Sequence, residues 1–391
     1  MKKKILVVNH QMQLGGVCIA AKNFIENMKD DYEIEYMLAK PNGELDNRIP
    51  KDVKVSYINY PLNVASMTKE ECKANGLKYF VKKAYIVLAS RYFGSAYVAK
   101  RVCKKMKKNT QRYDVLINND MDIVPTNFGA CHVYSKNLVE ADKKVLIIHG
   151  DFVANKYDIP HFEKELMPAY DYIILLSEAL KAQLASIYPK HQHKFVVIPN
   201  FAAVKEIKEL SKETKIKYER KTINIVSASR LTELKGIMRS LRVLKRLKDE
   251  GFDFCWNILG EGEQREEIEA FIKENNMEDN VKLWGLIKNP YPFMKAADLL
   301  YLGSYHESYG LVLVESMILG RPVVTTNTSS AKEVVDEKYG WICENEEESI
   351  YDIFKEILSN QELIKEKTNN LKDYEFDNKS IKQKYDELIG R

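Results

Sequence analysis

A chain of 391 residues, 45% hydrophobic and 30% charged, can bury the cores of two or three domains, and no low-complexity tract or fixed-period repeat interrupts it. Its apolar runs are far too short to span a bilayer, and its six cysteines (Cys18, Cys72, Cys103, Cys131, Cys255, Cys343) are scattered without a CxxC pair. These features argue against a membrane-spanning protein or a disulfide scaffold and point to reduced, buried thiols in a cytoplasmic protein.

The first segments read as strand, glycine loop and helix. Met1 to Lys4 starts like a signal peptide, but the apolar stretch Ile5 to Val8 is too short for one and reads as a buried strand. A loop holding Gly15 and Gly16 follows, then a helical pattern from Val17 to Met28. Between Lys73 and Arg112 lie twelve Lys or Arg and no Asp or Glu, so a chain of net charge +4 carries −8 elsewhere. Within this stretch Leu77, Phe80, Val81, Ala84, Tyr85, Leu88 and Tyr92 recur at helical spacing, flanked by Lys78, Lys82, Lys83 and Arg91, with Lys100, Arg101, Lys104 and Lys105 beyond. Two readings fit: a helix lying on an anionic membrane, or a core-facing helix with a solvated basic face.

Further apolar runs read as strands at Tyr113 to Ile117, Lys144 to Ile148, Tyr172 to Leu176 and Lys194 to Ile198. Phe201 to Lys221 is polar and lysine-rich, as a linker would be. A second series begins at Ile223 to Ser227, with a helix from Gly236 to Leu247. Strands at Phe254 to Leu259, Val281 to Trp284, Leu299 to Leu302 and Pro322 to Thr325 continue it. Apolar strands alternating with helices predict parallel sheets covered on both faces. The expected fold is α/β, with two doubly wound domains, 1–202 and 203–373, facing a cleft. Ligands in such sheets bind beyond the carboxyl ends of the strands.

The stretch Ser304 to Thr325 runs strand, loop, helix, strand, with a helix opening near Gly310. Free amides and the positive dipole end there make a seat for phosphate. Glu307 precedes the helix and Glu315 lies in its second turn, and eight helical residues span about 12 Å. Glu315 sits among Leu311, Val312, Leu313, Val314 and Met317, which predicts a partly buried carboxylate with a function. Arg230 follows one strand, and Lys235 precedes a helix opened by Gly236. Two cations on one loop suit a departing pyrophosphate. Gly260 and Gly262, with Glu266, form a turn after the next strand. No GxGxxG is present, which removes the main support for a dehydrogenase. His191 and His193 form an isolated HxH without a metal cluster.

On these residues the chain resembles the retaining glycosyltransferases of family four, which have the GT-B fold (glycosyl transferases group 1). The resemblance rests on Glu307 and Glu315 separated by seven residues, on Gly320 to Val324 after them, on Arg230 with Lys235, and on Gly260, Gly262 and Glu266. It implies that Glu307 contacts donor-sugar hydroxyls, that Glu315 contacts the ribose, and that Arg230 and Lys235 bind the donor diphosphate. Ser308, Tyr309, Gly310 and Leu311 would line the donor site, and Gly15 with Gly16 would approach the phosphates. The loop from Trp284 to Pro290 would hold the base, and His149 would lie near the reacting carbon. The family usually has Gly where this chain has Ser308. Asp120 and Asp122 imitate the DxD metal motif of the other glycosyltransferase fold and are set aside.

The resemblance further implies transfer from a nucleotide-sugar donor, UDP favoured, to a glycan or lipid-linked acceptor, without cofactor or metal and without nucleic acid as a partner. The expected site is catalytic at Glu307, Arg230, Lys235 and His149, with 374–391 a terminal helix returning to the first domain. An epimerase or phosphorylase of the same fold, or a non-catalytic partner subunit, is the alternative.

Overall fold

In the computed structural model, which describes residues 2–13, 15–120, 129–152, 162–218 and 222–390, the apolar runs become the strands of two wholly parallel sheets. The first unit comprises Met1–Phe201 with Asn378–Arg391, and the second Ala202–Asp377. Met121 and Asp122 of the DxD-like run and the end of the polar segment, 219–221, lie outside the described residues.

The first sheet contains β1 (Lys4–Asn9), β2 (Glu33–Leu38), β3 (Lys54–Tyr57), β4 (Arg112–Asn118), β5 (Glu140–Ile148), β6 (Tyr172–Leu175) and β7 (Phe195–Val197), in the order β3-β2-β1-β4-β5-β6-β7. The chain runs outward from β1 to one edge, returns, and runs outward from β4 to the other. Its direction therefore reverses between β1 and β4. The second sheet contains β8 (Ile223–Ala228), β9 (Phe254–Leu259), β10 (Val281–Gly285), β11 (Leu299–Leu302), β12 (Val323–Thr326) and β13 (Gly340–Cys343), ordered β10-β9-β8-β11-β12-β13. Here the reversal falls between β8 and β11. Loops on either side of such a reversal splay apart and leave a crevice at the strands' carboxyl ends.

β2, β3 and β13 escape a search for continuous apolar runs. β2 carries Glu35 into the interior, where its carboxylate accepts hydrogen bonds from Ser56 Oγ (2.5 Å), Lys54 Nζ (2.9 Å) and Tyr113 OH (2.9 Å). A buried acid this well satisfied is compatible with a strand that looks too polar. The polar segment after Phe201 is not a plain linker: it contains the helix Val204–Leu210, with Ile207 buried. Asn289 Nδ2 donates to Leu210 O (3.0 Å) and Tyr218 OH to Phe293 O (2.8 Å), which ties the segment to the second unit.

The second unit's core packs Trp256, Tyr301 and Phe354 among Leu, Ile and Val from both sides of the sheet. In the first unit the terminal helix Asn378–Ile389 completes the core. Tyr385 stacks on Phe201 at 5.5 Å and meets Phe24 edge-on at 4.9 Å. Lys3 and Lys143 donate to the helix's last carbonyls, Ile389 O (3.0 Å) and Leu388 O (2.8 Å). All six cysteines are buried, and none of them forms a disulfide. No helix among the described residues is long and apolar enough to cross a membrane.

Because Tyr385 is held by two rings, Tyr385→Ala should destabilise the chain by about 3–5 kcal/mol. Urea unfolding followed by circular dichroism should show the first transition at markedly lower denaturant, whereas an unchanged profile would mean that the helix adds nothing to the core.

Candidate functional site

The loops after β8 and β11, the strands flanking the reversal of the second sheet, carry the predicted charged residues. Lys235 and Glu307 form an ion pair between these loops, with side chains 19% and 14% exposed. Ser304 Oγ donates to the same Glu307 oxygen at 2.9 Å. Partial desolvation strengthens the pair's attraction, and it costs each charge its water if the other is removed. Arg230, on the β8 loop, is exposed, and among the described residues no carboxylate pairs with it. One unpaired cation thus stands beside a paired one at the mouth of the crevice.

The approach of the two loops requires glycine. Gly236 has φ of 65°, a left-handed conformation, and a Cβ there would collide with the Gly303 carbonyl oxygen. That contact joins the end of β11 to the turn carrying Lys235. Tyr305 N–H donates to Leu234 O at 2.9 Å and repeats the tie two residues further on. The Arg230 loop is held similarly from the β9 side: Ser229 N–H donates to Leu259 O (3.0 Å) and Leu231 N–H to Glu261 O (2.9 Å). A Cβ at Gly260 would collide with the Ser229 carbonyl oxygen. Gly260 therefore packs against the loop that presents Arg230, whereas Glu266 is exposed on the following helix.

Gly310 is left-handed at φ 72° and opens the helix Leu311–Ile318 after the β11 loop. Ser308 and Leu311 are half-buried and Tyr309 is buried, with burial pushing its phenol up. Glu315 is half-buried, as its apolar neighbours require, and accepts a hydrogen bond from Tyr291 OH at 3.1 Å. Trp284, near the end of β10, keeps 43% of its surface exposed while its indole N–H donates to Asn257 Oδ1 (3.0 Å). Sequence reasoning missed Tyr291, Ser304 and Arg239. The first two hold the key carboxylates, and no spacing rule marks such partners.

In the first unit the loops after β1 and β4 likewise flank a reversal. Gly15 and Gly16 open the helix Gly16–Met28, and a Cβ at either would meet nothing within 4 Å. Packing does not demand glycine there, and the space beside them is open. His149 follows β5, and Asn119, which the sequence did not single out, follows β4. Asn119 Nδ2 donates to Val17 O (3.2 Å), so its Oδ1 faces His149 Nε2 at 3.0 Å as acceptor. That sets the His149 proton on Nε2 and the lone pair on Nδ1. Burial pushes the ring down to about 4, so it is neutral at pH 7. His10, after β1, is also pushed down to about 4, by burial and then by Lys40.

The basic segment forms the helices Leu77–Phe93 and Ser95–Cys103. The predicted apolar stripe faces solvent: Leu77 is 77% exposed, Val81 57%, Leu88 56% and Tyr92 80%. Ile86, Ala89 and Ser90 supply the inward face instead, which overturns the core-facing reading. Lys78 lies 4.2 Å from the Tyr60 ring centre and Lys82 4.9 Å from that of Tyr85. Arg91, Lys100, Arg101, Lys104 and Lys105 are exposed. Lys83 departs from the expected patch. Its ammonium donates to Ala65 O at 2.9 Å, and burial holds it below the usual lysine range.

A histidine whose folded pKa is depressed from 6.5 to about 4 contributes stability above pH 6.5 that is lost as the pH falls through that interval. His149→Gln should therefore shrink the acid-side loss of stability by on the order of 2–3 kcal/mol. Urea midpoints of both proteins between neutral and mildly acid pH measure this difference, and parallel curves would contradict it.

Comparison with known proteins finds similar chains. Residues 191–375, nearly all of the second unit, match the family model described as glycosyl transferases group 1. The Campylobacter jejuni N-acetylgalactosamine-N,N'-diacetylbacillosaminyl-diphospho-undecaprenol 4-alpha-N-acetylgalactosaminyltransferase is 34% identical over 151 residues, 38% of this chain and 40% of that one. The matches span at most 40% of the length of each of the first three curated relatives. Among solved structures, TarM of S. aureus, in complex with fondaparinux, alpha-GlcNAc-glycerol and UDP, aligns over 100% of both chains with TM-score 0.69 and 15% identity. HepE of Anabaena, in complex with UDP and glucose, aligns over 99% of both with TM-score 0.68 and 17% identity. The chain has the GT-B fold, and its residues 191–375 match the glycosyl transferases group 1 family model.

Proposed function

We propose that this chain is a retaining glycosyltransferase that moves a sugar from a nucleoside diphosphate sugar, UDP favoured, to a glycan or lipid-linked acceptor in surface polysaccharide synthesis. The observation that carries the reading is the Lys235–Glu307 pair at the β8/β11 reversal, with exposed Arg230 beside it and Glu315 one helix further on. Arg230 and Lys235 bind the diphosphate, and Glu307 turns to the hydroxyls of the donor sugar. Glu315, braced by Tyr291, takes the ribose hydroxyls. The amides from Ser308 to Leu311 face the phosphates at a helix N-terminus. UDP in the TarM and HepE complexes supports the uridine donor.

In the transfer step the bond between the sugar's anomeric carbon and the diphosphate oxygen breaks. Charge builds on that oxygen, and Arg230 and Lys235 stabilise it without a metal. The leaving oxygen takes the proton of the acceptor hydroxyl, and that hydroxyl's oxygen bonds to the same face of the sugar. Neutral His149, with its Nδ1 lone pair, can accept a hydrogen bond from a sugar hydroxyl.

The outward apolar stripe of Leu77–Phe93, flanked by Lys78, Lys82 and Arg91, fits an anionic lipid surface on the cytoplasmic face of a membrane, where a lipid-linked acceptor would lie. The C. jejuni relative's name specifies a diphospho-undecaprenol acceptor, which supports this placement.

Nucleotide release from a panel of UDP-, GDP- and ADP-sugars, with and without anionic-lipid extract, tests the reading. Release should occur from one donor, rise with lipid, and fall on the order of 10²-fold or more in Lys235→Ala and Glu315→Ala. Silence across the panel, with no thermal shift by any nucleotide, would favour a non-catalytic binding subunit. Leu88→Asp should abolish flotation with anionic liposomes; equal flotation with neutral ones would defeat the lipid-surface assignment.

A further inference from the structure

Arg239 lies one turn into the helix Ile237–Asp249, 3% exposed, and no carboxylate approaches its guanidinium among the described residues. Instead Nη2 donates to Gly303 O at 2.8 Å and Nη1 to Asn345 O at 3.0 Å, and the group lies 3.9 Å from the Tyr305 ring centre. Its Nε has no hydrogen-bond partner. A buried cation without a counter-charge is costly, and an apolar side chain of similar size would fill the space more cheaply. Packing alone therefore does not account for an arginine here.

What the guanidinium joins does account for it. Gly303 follows β11 and leads into the Glu307 loop, and its carbonyl is the one pressed against Gly236. Asn345 follows β13 and returns a hydrogen bond from its Nδ2 to Tyr305 O at 2.8 Å. The Tyr305 N–H is bound to Leu234 O at 2.9 Å on its other side. One cation thus clamps the loops after β8, β11 and β13 around Tyr305, two residues before Glu307. Glu315 and Tyr291 lie outside this clamp, on the helices Leu311–Ile318 and Tyr291–Ala296.

We propose that Arg239 is a positioning residue that holds Glu307 for the donor sugar without serving the nucleotide. The inference rests on the donor-binding reading of Glu307 and adds a division of labour. Loss of the clamp impairs transfer, while nucleoside diphosphate binding through Arg230 and Glu315 persists.

Amide hydrogen exchange with the full-length chain tests the clamp without any ligand. In Arg239→Gln the Tyr305 amide should exchange at least about tenfold faster while β8 and β11 keep their protection. In the same variant kcat for nucleotide release should fall about tenfold or more while the dissociation constant of UDP, measured calorimetrically, stays within about twofold. Arg239→Lys, which keeps the charge and can reach one of the two carbonyls, should recover part of kcat. Should Arg239→Gln fail to fold, Tyr305→Leu removes the stacked ring but leaves both carbonyl hydrogen bonds, and should show the same split. Unchanged Tyr305 exchange, or UDP affinity falling in step with kcat, would overturn the proposal. If the wild-type chain handles no nucleotide sugar at all, the functional reading fails, and the exchange measurement still decides whether the clamp exists.

Discussion

The Gly303 carbonyl oxygen, lodged against the α-carbon of Gly236, is the contact on which the rest of the second unit's site depends. It can form only where the chain reverses between β8 and β11, because only there do loops from two adjacent strands leave the sheet in diverging directions. Lys235 precedes that glycine, Glu307 follows that carbonyl by four residues, and Arg239 Nη2 donates to the carbonyl itself at 2.8 Å. Sheet topology selects the place, and the absence of a side chain at Gly236 sets the spacing. The Lys235–Glu307 pair is the chemical consequence.

The charged residues at this edge are held in two ways. Arg230 reaches solvent from a loop stitched to its neighbour by backbone hydrogen bonds, with Gly260 allowing the close approach. Its position is therefore rigid while its charge stays available. Lys235 and Glu307 instead neutralise each other, and in the proposed function a ligand must offer each a better partner. A diphosphate for the ammonium and sugar hydroxyls for the carboxylate form such a combination. Binding must then displace an existing ion pair, a cost that ligands supplying only one of the two groups meet less readily.

Much of this was legible in the sequence, for physical reasons. The parallel strands announce themselves because strands buried on both faces must be apolar throughout. Glu307 and Glu315 stand out because charge just before and within an apolar helix needs a reason. β2 stayed hidden because Glu35 interrupts it, and the bonds that excuse a buried acid come from Ser56, Lys54 and Tyr113, distant in sequence. Arg239 escaped notice because a cation in an amphipathic helix reads as solvated, and its true partners are main-chain carbonyls that no sequence pattern encodes. The helix Leu77–Phe93 shows the reverse case. Its stripe was visible, but only the fold shows that Ile86 and Ala89 face inward and leave the longer stripe exposed.

Calorimetric titration of Glu307→Gln with UDP, beside the wild-type chain, tests most directly whether the Lys235–Glu307 pair is a donor seat. The account predicts several-fold tighter UDP binding in the variant, since removing the carboxylate frees Lys235 for the diphosphate and removes a repelling charge. Weaker or absent UDP binding in Glu307→Gln, with the wild-type chain still binding, would show that the pair stabilises the loops and has no part in receiving the nucleotide.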